Sequence, residues 1–160
     1  MTARRLTLFL TSSLVFFQLW TPSAHAQDQT ASEQVLISYS LIADTLSNDQ
    51  MTGVKEAAAL LIEASQRLQD RKLATELRKS SKSLVDASPS SDLTSDLKKA
   101  RDHFKNLSSP LVKWVKRNKS VGWSVLYCPM VGASWLQRRG EPVRNPYFGE
   151  EMLSCGEKVS

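Results

Sequence analysis

Four sulfur-bearing side chains near the C-terminus are the residues best suited to chemistry. They form two pairs, Cys128 with Met130 and Met152 with Cys155, so each thiol has a thioether two or three positions away. Thiolates and thioethers are soft, polarizable donors. Two such pairs folded back on one another offer a monovalent copper or silver ion up to four sulfurs. Zinc is less well served, because methionine is a poor ligand for it and only two strong donors remain. The same cysteines have a plainer use: a Cys128–Cys155 disulfide closes a loop of about 28 residues and stabilises a fold by roughly 3–4 kcal/mol in the chain-entropy estimate. A sulfur separation near 2 Å distinguishes a bond from a ligand cage, which needs about 3.5–4 Å with both methionine sulfurs converging.

Other chemistry finds less support. His103 is a conceivable further ligand, since neutral imidazole suits copper, but a lone histidine on a helix is commonly half-exposed and inert. The sequence holds no Gly-x-Ser-x-Gly, no His-Glu-x-x-His, no phosphate-binding glycine loop and no dinucleotide fingerprint. A redox enzyme built on Cys128 or Cys155 lacks a Cys-x-x-Cys pair. Glu150 and Glu151 read as solvated, and Trp114, Trp123 and Trp135 as core aromatics or an aromatic patch. No enzymatic activity is therefore expected, and no catalytic residues are assigned.

The elements that must position the sulfurs begin after residue 26. Arg4 and Arg5 precede an apolar run from Leu6 to Leu19, and Ala24-His25-Ala26 fits the small-x-small pattern read by signal peptidase. Residues 1–26 thus read as a secretory signal peptide, a retained N-terminal anchor being the rival; no later stretch is apolar enough to cross a bilayer. Residues 27–160 are one domain's worth of chain. Losing Arg4 and Arg5 from 21 basic residues set against 16 acidic ones leaves a net charge of about +3, too mild to argue for nucleic acid.

Gln27 to Ser32 reads as a loose polar leader. Helical periodicity follows: Val35, Tyr39, Ile42 and Leu46 form one stripe, and Val54, Ala57, Ala58, Leu61, Ala64 and Leu68 a second, with Thr52 as candidate cap. A third helix is expected between Arg71 and Val85, before the linker Ala87 to Ser91. The strongest, capped by Ser91 or Asp92, carries Leu93, Leu97, Ala100, Phe104, Leu107 and Leu111 at bundle-seam spacing, with Pro110 as a possible kink. Val121 to Tyr127 alternates like an extended segment; beyond it, glycines and prolines punctuate the chain. The expected fold is all-α: an antiparallel four-helix bundle over about 33–119, with an irregular, loop-rich C-terminal cap over about 121–160.

The tail also carries a resemblance. Tyr127-Cys128-Pro129-Met130, Trp135-Leu136-Gln137, Asn145-Pro146-Tyr147-Phe148-Gly149 and Met152-x-x-Cys155-Gly156 together resemble the small helical domain found alone in exported bacterial proteins and at the C-termini of periplasmic adaptor subunits of heavy-metal efflux pumps. The resemblance implies a periplasmic setting and an association with copper or silver handling. It matches the sulfur positions Cys128, Met130, Met152 and Cys155, while His103 matches no motif. It also implies a partner such as an efflux adaptor or another periplasmic protein. With no match to the β-barrel and hairpin regions of an adaptor, the chain is expected to correspond to the free-standing form. On the residues alone, a soft-metal protein and a disulfide-stabilised interaction module of the cell envelope both stay open.

Overall fold

The computed structural model describes residues 24–87, 90–120 and 122–159. The basic and apolar parts of the signal-like segment lie outside the described residues, as do Ser88 and Pro89 of the linker and Val121. Four helices come first: α1 (Ala24–Ser47), α2 (Val54–Ser65), α3 (Arg71–Val85) and α4 (Leu93–Asn118). The stripes that predicted them are the ones buried. Val35, Tyr39, Ile42 and Leu46 of α1 are buried, as are Leu97, Ala100, Phe104, Leu107 and Leu111 of α4. Leu93, at the head of the same seam, is 52% exposed.

The helix ends show which local signals mattered. The Asp92 carboxylate accepts from the Ser95 N–H at 3.1 Å, and Asp70 does the same for Leu73 at 2.9 Å. Each satisfies one of the backbone donors that a helix start leaves free. Thr52 is not the cap of α2; Gly53 is, with φ near 92°, a conformation that glycine adopts without cost. Pro110 sits inside an unbroken α4. The leader is not loose either: Gln27 to Ser32 is part of α1, Ala31 is buried, and Asp28 accepts from the Gln69 N–H at 2.7 Å. Among the described residues, no helix is long and apolar enough to cross a membrane.

The tail overturns the all-α expectation. β1 (Trp123–Cys128) pairs antiparallel with β2 (Ala133–Arg138), and β3 (Glu157–Lys158) pairs on the other side of β1, giving the order β2-β1-β3. Between them the chain makes one short 3-10 helix, Gly149–Met152. The protein is thus a mixed fold, four helices followed by a three-stranded antiparallel sheet, while residues 139–148 and 153–156 of the cap are turns and loops. The extended segment read over Val121 to Tyr127 contains β1, but its partners β2 and β3 gave no such signal. Consecutive strand residues point to opposite faces, and in β1 both sets are buried, Val125 and Leu126 alike. The same holds for β2, with Trp135 and Leu136 both buried, and it leaves no polar–apolar alternation to read.

The sheet also changes the bundle. Each helix packs on the next, but α1 and α4 touch only lightly, and β2 lies against α4 beside that opening. An aromatic column joins the two parts. Tyr39 of α1 stacks on Phe104 of α4 at 4.9 Å, Phe104 meets Tyr147 at 5.8 Å, and Tyr147 meets Trp135 of β2 edge-on at 6.0 Å. The buried Tyr39 hydroxyl accepts from the Leu136 N–H at 3.2 Å and donates to Ser108 Oγ at 2.7 Å, while Ser108 donates to the Phe104 carbonyl. Every polar atom in this chain of bonds has a partner, which fixes where the sheet seats on the helices.

Candidate metal-binding site

The hairpin turn after β1 builds the first half of the site. Cys128 and Ala133 are paired across the strands, so Pro129 to Gly132 make a four-residue loop. Gly132 takes φ 63°, and its N–H donates to the Cys128 carbonyl at 2.9 Å. This curl turns the N–H groups of Met130 and Val131 toward the buried Cys128 sulfur. Lys105 of α4 braces the turn from outside through the Val131 carbonyl at 3.0 Å.

The second half is brought in by β3. Its pairing with β1 sets Glu157 beside Tyr127, which delivers Cys155, two residues earlier, to the end of β1. Gly156 lets this segment lie flat on the Trp135 ring; a Cβ there would collide with Cη2 of the indole. Asn145, fully buried, holds it from below. Its amide donates to the Cys155 carbonyl at 2.7 Å and also bonds the Cys128 sulfur, its Oδ1 accepts from Tyr147, and its own N–H donates to Leu153.

The two thiols end 3.8 Å apart, and both are free. Burial alone would raise the Cys128 thiol. The hydrogen bonds from Val131, Asn145, Met130 and Cys155 outweigh it and hold Cys128 below the ordinary thiol value. Cys155 goes the other way, raised by desolvation and by its bond to, and the charge of, Cys128. The two thiols therefore titrate as a coupled pair, with Cys128 the easier to deprotonate and Cys155 the harder.

The methionines are placed less closely. Met130 stands on the turn and is 66% exposed. Met152, half-buried, ends the 3-10 helix, and its carbonyl accepts from the Cys155 N–H at 3.0 Å. Both thus flank the thiols along the chain, Met130 from the solvent side. His103 does not join them. It is half-buried on α4 and lines a groove against α3, whereas its neighbour Phe104 points to the sheet side through Tyr147. Among the described residues no group of three or more His, Cys, Asp and Glu is gathered as a metal site. An ion held by the thiol pair must draw any further ligands from thioethers or from outside the chain.

At the zinc–thiolate bond length of about 2.3 Å, two thiolates sharing a metal stand about 3.8 Å apart at a tetrahedral angle and about 4.0 Å apart at a trigonal one.

Sequence reasoning did not assign the residues that hold this geometry. Arg101 of α4 donates to the Pro146 carbonyl at 3.1 Å and the Leu46 carbonyl at 2.9 Å, and pairs with Asp49. Asp49, in the α1–α2 turn, accepts from the Glu150 N–H at 2.9 Å, and Gly149 has no room for a Cβ against either side chain. Desolvation works against the Asp49 carboxylate, but Glu150 and Arg101 hold its pKa below the usual value. The phenol of Tyr147, pushed well up by burial, donates to the Ser134 carbonyl at 2.8 Å. The Asn145-to-Gly149 motif was visible as a motif, yet nothing in it announced that it ties the thiols to the bundle.

Compared with protein-family models, curated proteins and solved structures, the chain matches none.

Proposed function

We propose that this chain is an exported protein that binds a soft monovalent ion, Cu(I) or Ag(I), through Cys128 and Cys155, with Met130 and Met152 supplying thioethers. The observation that carries the reading is the thiol pair itself: two sulfurs 3.8 Å apart, one buried and held toward its thiolate form by peptide N–H groups and an amide. A soft cation displaces the thiol protons to solvent, and the hydrogen bonds that favour the Cys128 thiolate then favour the bound state. Met130, in solvent at the rim, is the donor that an arriving ion meets first, and an exchangeable thioether permits release to a partner. The signal-like residues 1–26 support a periplasmic setting, and the resemblance of the tail supports a role in copper or silver resistance alongside an efflux adaptor.

Anaerobic titration of the reduced protein with Cu(I) against a competing chelator tests this. One equivalent is expected to bind, and Cys128→Ser or Cys155→Ser should each weaken it beyond the roughly 10–100-fold typical of losing an outer-shell partner. Affinity unchanged in both variants rules the site out.

The same separation supports a second reading. The sulfurs need to approach by only about 1.8 Å to reach disulfide length. Oxidation by an external disulfide, which would leave as two thiols, turns the tail into a stapled module for docking on another envelope protein. A mass two daltons low in protein isolated without reductant, with no copper uptake after reduction, favours this reading over the first.

A further inference from the structure

The mild net charge conceals a strong asymmetry between the two halves of the helical part. Helices α3 and α4 together carry twelve Lys and Arg against three Asp and Glu. Helices α1 and α2 carry one Lys against five acids. The basic half is also grooved. Two adjoining cavities of about 510 and 470 Å³ run between α3 and α4, sharing Glu76, Pro110 and Lys113.

Lys72 and Lys79 stand along the α3 rim, and Lys113, Lys116 and Arg117 along the α4 rim. None of the four lysines makes an ion pair among the described residues, although Glu76 lies one helical turn from both Lys72 and Lys79. Arg117 meets Asp70 only loosely, at 3.8 Å. Between the rims lie Ser80, Ser83, Ser109, Asn106 and His103, with Asn106 and Ser109 exposed and the Ser80 hydroxyl donating to the Glu76 carbonyl. The five rim cations face only the Glu76 and Asp70 carboxylates, and the excess of positive charge favours an anionic occupant.

We infer that the α3–α4 groove is a docking site for an acidic segment of a partner protein. Shape selects this occupant among anions. From His103 to Arg117 the groove follows α4 for about 21 Å, the length of a helical segment of about 14 residues. Cations on both rims match carboxylates on both flanks of such a segment. A bilayer surface is flat and would leave the polar residues between the rims unmet. The groove lies on the α3 side of α4, away from the thiol pair, so a partner seated there leaves Met130 open. This surface does not depend on metal binding.

The probe is a synthetic amphipathic peptide of about 14 residues with glutamates on one face, and its glutamine counterpart is the control. NMR of the isotope-labelled protein should show shifts confined to residues 72–83 and 103–117 with the acidic peptide and none with the control. The affinity should fall as salt is raised. Lys79→Glu with Lys113→Glu should weaken it roughly 10-fold or more, while helical circular dichroism and Cu(I) affinity stay unchanged. Absence of binding overturns the proposal, as do shifts centred elsewhere. So does binding at these residues to phosphatidylglycerol vesicles or polyphosphate but not to the peptide, or concentration-dependent self-association that uses them.

Discussion

The helical half and the strand-rich tail are buried to similar depth but are held by different kinds of interaction. In α1 to α4 the work is shared among many apolar side chains at helical spacing, so no single one defines the fold. In the tail a few polar side chains each fix a stretch of backbone that nothing else would hold: Asn145 for residues 147–155, Gln137 for 141–144, Arg101 for 146. A distributed core tolerates change. A structure resting on single polar nodes can hold two sulfurs at a set distance, and it fails locally when one node goes.

The largest effect is expected where the two halves meet. Phe104→Ala empties the space between Tyr39 and Tyr147 and should cost about 3–5 kcal/mol, measured by urea unfolding, with helix and tail signals lost together. Separate transitions would mean that the aromatic column does not couple the halves. Asn145→Ala should cost less, about 1–3 kcal/mol for the buried groups left unpaired. It should leave helical circular dichroism intact while lowering Cu(I) affinity by roughly 10–100-fold. Retained affinity would show that the thiols do not need this node.

Arg101→Met removes the tie between α1, α4 and the tail and should cost about 1.5–3 kcal/mol, the range for a hydrogen bond to a charged group. It also carries a pH signature. Because the folded Asp49 carboxyl is depressed, its contribution is fully present above its unfolded pKa of about 3.9 and is lost as pH falls through the folded value. The wild type should therefore lose more stability than Arg101→Met in that acid range, followed by urea midpoints; equal losses would mean that the pair contributes nothing. Leu93→Ser is the smallest case. It occupies a seam position by spacing but is half-exposed, and its effect should stay within about 0.5 kcal/mol.

This contrast explains what could be read from the sequence. The α1 and α4 stripes and the Asp92 cap were legible because a 3.6-residue period repeats the same information many times. The two cysteines were legible as a pair because nothing else in the tail shares their chemistry. Of the sheet only β1 was legible, within the extended run Val121 to Tyr127; β2 is covered on both faces and shows no alternation, and β3 has only two residues. The curl at Pro129 to Gly132 and the long-range bonds of Arg101 and Asn145 were not legible either. The bonds of Arg101 and Asn145 depend on residues up to 55 positions apart meeting in space, which no local pattern encodes.

X-ray absorption at the copper edge of the Cu(I)-loaded, reduced protein tests the central claim most directly. The account predicts a first shell of sulfur alone that keeps two sulfurs when Met130→Leu and Met152→Leu are combined and loses one with Cys155→Ser. A shell dominated by nitrogen or oxygen, or one indifferent to Cys155, would contradict it.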